Sequence, residues 1–469
     1  MNRSRFLSSP FTFALLTGLL CAGTLIASEG IPASEYRQRR DSLLANMEPH
    51  SVAVFRANDP DHRSNDVNYR YRQESNFLYL TGVNEPNATL LLSTDGVTIP
   101  GGATAREVLF IDPGRGNDVN GETLGLEGAK ALGAFDHVVD RKEFQGVFDS
   151  ALIGRSVLYL LTPAPDVLLN PYTGSRLIQS RETKKALEQR YPGLSVKNPA
   201  SLVSELRVIK SSAEMRILRN AIDATAVGHI EAMKSCEPGM FEYELQAVVE
   251  YCFARSGAEY QGFPSIIGSG PNSCILHYEE NRRKMESGDV VVLDIGAEFQ
   301  GYSADVTRTL PVSGTFNPEQ GQLYDLVYQA QEAIFRAVKP GANLRDLTSV
   351  SNEVIGDGLV ALGILEDKGK VRLYSRHGVS HFLGLDVHDV GGFNADLKPG
   401  MVLTVEPGIY IPAGSDCDEK FWNIGIRIED DVLVTSDGCQ VLSSRAPRSR
   451  SAIETLMKEK GIGNLPVGK

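Results

Sequence analysis

The alternation of apolar and polar residues divides the chain near residue 200. From about residue 34 to 200, short apolar runs typical of strands alternate with amphipathic stretches typical of helices. The predicted strands are 51–55, 88–93, 107–111 and 157–161, and the predicted helices include 35–47 and 176–190. Strands that alternate with helices predict a separate α/β domain in this part of the chain.

Beyond residue 200 the pattern changes. Residues 201–207 are predicted to be a connection, and from Ser212 onward apolar residues recur at helical spacing, with Glu214 in an early turn. Further helices are predicted at 242–256, 318–338 and 344–362, and strands at 290–297, 304–311, 402–407 and 424–435. The second half is therefore predicted to be α+β.

Length, composition and charge narrow the class of protein. A chain of 469 residues is expected to form two or three domains. Its 42% hydrophobic and 23% charged residues are typical of a soluble globular protein. A formal net charge of -12 argues against a nucleic-acid surface, which needs clustered Lys and Arg. We therefore expect no nucleic-acid partner.

The first thirty residues have the pattern of a secretory signal. Arg3 and Arg5 precede an apolar stretch from Phe11 to Ala27, and Ser28 follows it. Residues 1–28 are therefore predicted to be a signal peptide, and the protein to be exported, either periplasmic or secreted. Once the signal is cleaved, no stable membrane association is expected. The alternative is an uncleaved anchor, because about 17 apolar or small residues approach the shortest membrane span.

The cysteines give no disulfide pattern. After removal of the signal an odd number is left, and their spacing matches neither a disulfide framework nor a zinc site. Structural thiols are therefore predicted at Cys236, Cys252, Cys274, Cys417 and Cys439.

Two aspartates lie on a predicted β-hairpin in the second half. With a loop at 298–301, residue 297 pairs with 302, and Asp294 lies directly opposite Asp305. Side chains in such a pair have Cβ atoms ~4.5–5.5 Å apart, so two carboxylates repel each other unless a cation lies between them. A bound metal ion is the simplest way to relieve this repulsion. The alternative is that one of the two aspartates is only a turn or cap residue.

Other acids and imidazoles favour the metal site over the turn or cap residue. Three of the eight histidines, His377, His381 and His388, fall within twelve positions beside glycines, which packing does not easily explain. Glu406 ends a buried apolar strand, where an unpaired charge is costly. Residues 424–429 alternate, so that Arg427 and Glu429 face the same way. Such an oxygen-rich ligand set predicts two divalent metals that share bridging carboxylates, with Mn, Co or Zn favoured.

Several of these segments resemble a known family. Residues 377–391 and 424–430 resemble the aminopeptidase P group of the pita-bread metallopeptidases, and residues 65–86 resemble the N-terminal domain of that group. The resemblance implies an α+β protein with a smaller α/β domain at 30–200 and a pita-bread catalytic domain at 205–455.

The resemblance also implies roles for individual residues. Asp294 holds one metal, Asp305 and Glu429 bridge both, and His381 with Glu406 completes the second site. Glu406 is further expected to shuttle protons. The implied substrate-binding and supporting residues are His277, His388, His377, Arg427 and Tyr410.

The implied activity is that of a dinuclear metallopeptidase. A hydroxide that bridges two ions, with Mn(II) preferred and Co(II) or Zn(II) as alternatives, releases the N-terminal residue from peptides with proline in second place. The main alternative is prolidase, which cleaves only dipeptides. A metal-free binding relative would show substituted ligands, and none is seen. The family tendency implies a homodimer or homotetramer.

Overall fold

The structure, a computed structural model, describes residues 30–114, 123–161 and 184–465. The predicted signal peptide and residues 176–183 of one predicted helix lie outside these ranges. Within them, no helix has the length and apolar character that a membrane crossing needs.

The N-terminal part of the chain forms an α/β unit, as predicted. Its elements begin close to the predicted positions. The strands are β1 (Ser51–Arg56), β2 (His62–Ser64), β3 (Val67–Asn68), β4 (Thr89–Thr98), β5 (Thr104–Ile111), β6 (Val138–Asp140), β7 (Val157–Leu160) and β8 (Ser195–Lys197). The helices are α1 (Ala33–Asn46), α2 (Ser75–Thr81), α3 (Gly125–Ala131) and α4 (Phe144–Leu152).

A six-stranded sheet organises this unit, in the order β6-β5-β4-β1-β7-β8. In its central strand β1, Val52 and Val54 pack on one face against α4, while Ala53 and Phe55 pack on the other against α1 and α2. All four side chains are buried. The sheet is therefore covered on both faces, which explains the continuous apolar run of β1.

The C-terminal part contains longer helices and several small antiparallel sheets. Its helices are α5 (Ala200–Arg207), α6 (Ser212–Ser235), α7 (Glu242–Arg255), α8 (Pro318–Ala337), α9 (Leu344–Ala361) and α10 (Arg450–Leu456). Its first strands are β9 (Tyr260–Gln261), β10 (Ile266–Ser269), β11 (Val290–Ile295), β12 (Ala297–Phe299), β13 (Tyr302–Ser303) and β14 (Val306–Pro311). The later ones are β15 (Val402–Val405), β16 (Gly408–Ile411), β17 (Ile424–Arg427), β18 (Asp430–Val434) and β19 (Cys439–Val441).

Residues 201–207 are helical, so the prediction of a connection is wrong. The helix α5 begins directly after Pro199, and the Asn198 side chain accepts a hydrogen bond from the Ala200 N–H at 2.9 Å. This is the hydrogen bond of an Asx turn, in which the side chain accepts from the backbone N–H two residues on, and it orders the chain just before α5. The buried Val203 then fixes one face of α5 against the rest of the protein.

The turn between β12 and β13 is shorter than expected. Phe299 pairs with Tyr302, so the turn consists of Gln300 and Gly301 rather than residues 298–301. Both turn residues have positive φ, 47° and 84°. A two-residue turn of this kind matches the twist of the flanking strands, and glycine adopts it without strain.

The short turn shifts the pairing of the two aspartates. Asp294 lies opposite Thr307, so the prediction that it lies directly opposite Asp305 is wrong. The shift is two residues, and the faces of a strand alternate with a period of two. Asp294 and Asp305 therefore still project to the same side, where both line one cavity.

The predicted strand 424–435 is divided into two. The first piece, β17, pairs with β16, whereas β18 pairs with β15 and β19. The break falls at Ile428 and Glu429, between the two pairings. Arg427 and Glu429 nevertheless line the same cavity, as their alternation predicted.

The described cysteines are free thiols, as predicted. Burial raises the pKa of the Cys236 thiol to about 12 and that of the Cys252 and Cys274 thiols to about 11. The reactive thiolate form of these three is therefore scarce at neutral pH.

A buried ion pair ties β14 to β18. The Arg308 guanidinium donates to the Asp430 carboxylate at 2.7 Å, and both side chains are fully buried. Arg308 also donates to the carbonyls of Glu429, at 2.6 Å, and Ala446, at 2.8 Å. One side chain therefore holds together two strands and the segment before α10.

We predict that Arg308→Met lowers the free energy of unfolding by about 3–5 kcal/mol, because the fully buried Asp430 would lose the cation 2.7 Å away and keep only Arg448, at 3.9 Å. Urea unfolding monitored by the fluorescence of Trp422, the single tryptophan, measures this change.

The matched control is Arg445→Met. Arg445 pairs with Asp223 at 3.7 Å with its side chain 56% exposed. Its loss should change the free energy of unfolding by less than about 0.5 kcal/mol. Equal effects of the two substitutions would contradict the role given to Arg308.

Candidate metal centre

A cavity of about 540 Å³ in the C-terminal part collects the predicted site residues. All of them line it except Tyr410, which is fully buried behind it. The lining residues among those predicted are His277, Asp294, Asp305, His377, His381, His388, Glu406, Arg427 and Glu429.

The four acids of this cavity lie at or next to the ends of strands. Asp294 lies near the end of β11, Asp305 directly precedes β14, Glu406 directly follows β15, and Glu429 lies between β17 and β18. Backbone pairing fixes the strands on either side, so the four carboxylates have little freedom to move apart. Asp294, Asp305 and Glu429 are buried.

One imidazole lies among the carboxylates. The Nε2 atom of His381 is 3.3 Å from an oxygen of Asp305 and 3.6 Å from an oxygen of Glu406. One ligand atom each of Asp305, His381 and Glu429 lies within 4.8 Å of the others. These three residues can thus share a metal ion.

Burial and mutual repulsion disfavour the charged form of two acids. Burial first, and then the neighbouring carboxylates, raises the pKa of Asp305 and of Glu429 well above the usual range. Like charges confined without water are costly in this way. A bound cation would remove that cost.

Unpaired oxygens support the fit of a cation. Among the described residues, Oδ1 of Asp294 and Oδ1 of Asp305 are buried without a hydrogen-bond partner. Buried carboxylate oxygens normally have partners. Divalent ions such as Mn(II) prefer carboxylate oxygen and imidazole nitrogen, so the residues present fit such ions.

A chain of hydrogen bonds surrounds the acids. Arg427 donates to Asp294 at 2.7 Å and to the Tyr410 hydroxyl at 2.9 Å. The Nε2 atom of His377 lies 2.8 Å from the same hydroxyl, and its Nδ1 atom lies 3.4 Å from Glu406. Burial acts to raise the pKa of Glu406, but the hydrogen bond and charge of His377 hold it below the usual value.

Two further histidines lie at the mouth of the cavity. The ring of His388 stacks on that of His381, with centroids 3.9 Å apart and planes 12° apart. Burial, and then the charge of His381, lowers the pKa of His388, so its neutral form is favoured. His277 is exposed on the lining. Both can reach a substrate in the cavity.

Sequence reasoning missed two supporting residues. The Thr307 hydroxyl donates to Glu429 at 2.7 Å, and the Asp305 N–H donates to Asp431 at 3.3 Å. Each lies two positions beyond an acid of the site, so the alternation of strand faces could have identified both. The apolar walls, which include Phe263 and Phe393, were also missed because they lie on loops without a periodic pattern.

Comparisons with known proteins identify the family of this chain. Residues 216–436 match the model of metallopeptidase family M24, and residues 36–159 match that of the aminopeptidase P N-terminal domain.

Among curated relatives, the Xaa-Pro aminopeptidase of Escherichia coli K12 is 38% identical, over 91% of this chain and 98% of its own length. That of Haemophilus influenzae is 36% identical with the same coverage. Among solved structures, Pseudomonas aeruginosa aminopeptidase PepP matches with a TM-score of 0.81 and 37% identity, covering 92% of this chain and 98% of its own.

The chain therefore belongs to metallopeptidase family M24 and has an aminopeptidase P N-terminal domain. Its fold is the pita-bread fold of that family, and the prediction of the fold class is confirmed.

We predict that a chelator lowers the melting temperature by about 5 °C or more at pH 8, and by less at pH 6. In the metal-free protein the raised pKa values of Asp305 and Glu429 mean that the contribution of these two groups to stability is greatest at acidic pH and falls as the pH rises through their pKa values. Bound cations remove this repulsion, so their stabilising effect grows with pH.

Scanning calorimetry with and without the chelator measures the difference. The control is Glu429→Gln, which removes one carboxylate and should respond little to the chelator. An unchanged melting temperature of the wild-type protein at pH 8 would rule out a tightly held ion in this cavity.

Proposed function

We propose that the protein is an Xaa-Pro aminopeptidase, which releases the N-terminal residue from peptides with proline in second position. The observation that supports this most directly is the convergence of carboxylates and His381 in one cavity. Relatives named Xaa-Pro aminopeptidase match it over nine-tenths of the chain.

The same residues suggest how metals are held. We assign Asp294 to one ion, Asp305 and Glu429 to both, and His381 with Glu406 to the second. Mn(II) is our preferred ion because oxygen ligands dominate. A zinc-substituted form is known for the aminopeptidase P of Escherichia coli, so other divalent ions are alternatives.

When bound, divalent ions polarise a carbonyl and lower the pKa of water. Glu406 accepts and passes on a proton, because its depressed pKa keeps it ionised at neutral pH. His377 lies between the two: its Nε2 atom is hydrogen-bonded to the Tyr410 hydroxyl and its Nδ1 atom is 3.4 Å from Glu406, so its charge holds the Glu406 carboxylate in place. Neutral His388 and the exposed His277 donate to the charge that develops on the substrate carbonyl.

Prolidase, which cleaves only dipeptides, is the second candidate. Both activities use the same ligand types, so the metal centre alone does not distinguish them. The named relatives favour the aminopeptidase. A neighbouring cleft shares the lining residue Val387 with the cavity, and we infer that a longer peptide extends into it.

We further propose that the protein is exported and works as a homodimer or homotetramer. The charged start and apolar run of residues 1–28 support export. Cell fractionation and mass spectrometry of the mature N-terminus test export, and light scattering tests the oligomeric state.

We predict that the purified protein hydrolyses Ala-Pro-Ala at the Ala-Pro bond, and that Asp305→Ala and Glu429→Ala each abolish this activity in buffer with added Mn(II). Each substitution removes a ligand assigned to both ions. Product analysis by chromatography, with Ala-Pro as the comparison substrate, measures both activities. Cleavage of the dipeptide alone would move the assignment to prolidase, and near wild-type rates of either variant would reject the ligand set.

We predict that His388→Ala lowers turnover by about 10²-fold while two ions per chain are retained, because His388 is assigned to the substrate and not to a metal. Steady-state kinetics and elemental analysis of the same sample give the two quantities. Loss of metal in this variant would show that the ligand shell had been assigned incorrectly.

A further inference from the structure

A second cleft of about 550 Å³ adjoins the catalytic cavity. Its walls come from N-terminal residues 70–75, from β9 and from residues 385–387. Val387 lines both spaces, and Gly262 lines the cleft while the next residue, Phe263, lines the catalytic cavity. The two spaces therefore share a wall at Val387, next to His388 of the catalytic cavity.

The floor of this cleft includes an open sheet edge. Strand β9 is the last strand of the sheet β13-β12-β9, so nothing pairs with its outer side in that sheet as far as the described residues go. The Gly262 N–H donates to the Gly296 carbonyl at 2.9 Å. Backbone groups alternate in direction along an antiparallel strand, so those of Gln261 point the other way, toward the open edge.

Such an edge can pair with an extended peptide. Backbone hydrogen bonds to an added strand are a common mode of peptide recognition, and they depend little on the side chains of the ligand. Gln261 lines the cleft, so an extended chain lying there can pair with it.

Arg72 holds the opposite wall of the cleft in place. Its guanidinium donates to Glu298 at 3.0 Å and to the carbonyls of Gly301 at 3.0 Å and Leu385 at 2.5 Å. These partners belong to the C-terminal part of the chain. The N-terminal wall is therefore fixed against β12 and the segment that precedes His388.

Most charged side chains of the lining are already engaged. Arg72 pairs with Glu298, Asp386 pairs with Arg207 at 2.8 Å, and Glu74 accepts from the Phe77 N–H at 2.6 Å.

Arg70 is the exception. It is exposed, its guanidinium lies 5.7 Å from the centre of the Tyr260 ring, and it forms no ion pair with the described residues. Contact with the ring face leaves the N–H groups at the edge of the guanidinium free for an anion. Arg70 is thus the arginine of the lining without a carboxylate partner among the described residues, and Glu74 is the acid of the lining that accepts hydrogen bonds without an ion pair.

We propose that this cleft binds the C-terminal part of longer peptide substrates, with their backbone paired to Gln261 and their terminal carboxylate bound by Arg70. The inference rests on the proposed function: an aminopeptidase holds the free N-terminus at its centre, so only the C-terminal part continues outward. The ligand class is a peptide longer than Xaa-Pro-Yaa with a free carboxyl end.

The test compares peptides of increasing length, from Ala-Pro-Ala to Ala-Pro followed by four alanines, each as the free acid and as the C-terminal amide. We expect kcat/KM to favour the acid by about fivefold at the length that reaches Arg70. The preference should weaken as salt rises, because an exposed ion pair is screened.

Three variants separate the charge from other effects. Arg70→Gln should abolish the preference for the acid, and Arg70→Lys should retain part of it. Arg63→Gln, an exposed arginine of the same domain outside the cleft, is the control and should retain the whole preference.

Replacing a single amide of the peptide by an ester removes one backbone N–H and probes the pairing with Gln261. We expect a loss in kcat/KM at one position only, beyond the proline. Equal losses at every position would overturn the pairing.

Equal kcat/KM for acid and amide at every length, or a preference that survives Arg70→Gln, would overturn the role of Arg70 while leaving the proposed function intact. Failure of the wild-type protein to cleave Ala-Pro-Ala would instead overturn the proposed function, and this inference with it.

Discussion

Repulsion among carboxylates that are enclosed together is the constraint on which the rest of this structure depends. Asp305, Glu429 and Asp431 all have raised pKa values, chiefly because they are buried. Arg427 compensates only Asp294 directly, and His381 offers one imidazole to the others. The fold therefore encloses more carboxylates than its own cationic side chains compensate. Divalent ions would compensate this negative charge. The acids that lower the stability of the metal-free protein are therefore the ones that can hold ions for catalysis.

Buried contacts in the core fix the position of these carboxylates. Along one strand segment, Glu429 projects into the cavity and the next residue, Asp430, projects into the core. There Asp430 accepts from Arg308, from Ser443 at 2.5 Å and from Gln331 at 2.9 Å. A buried, fully bonded ion pair of this kind has one favourable geometry. The position of Glu429 is thus set by its neighbour in the core, and not by the metal alone.

The periodicity of the strands was sufficient to predict which side chains share the site, but not how the strands pair. Alternation placed Arg427 and Glu429 on one side, and it still held for Asp294 after the register changed by two residues. The register itself depends on Gln300, whose positive φ no pattern of apolar residues reveals. Helix α5 was missed because its start depends on a local Asx turn at Asn198. The cleft beside the metal centre depends on how Arg72 docks one part of the chain on the other, which involves residues more than 200 positions apart.

The free cysteines have a consequence for how the protein can be made and where it can work. None of the described residues depends on an S–S bond, and the most buried sulfur atoms are protonated and shielded. Folding of the described residues therefore requires no disulfide formation, so a reducing environment does not prevent it. Bacterial expression without export, and purification in the presence of a mild reductant, are then compatible with the native state.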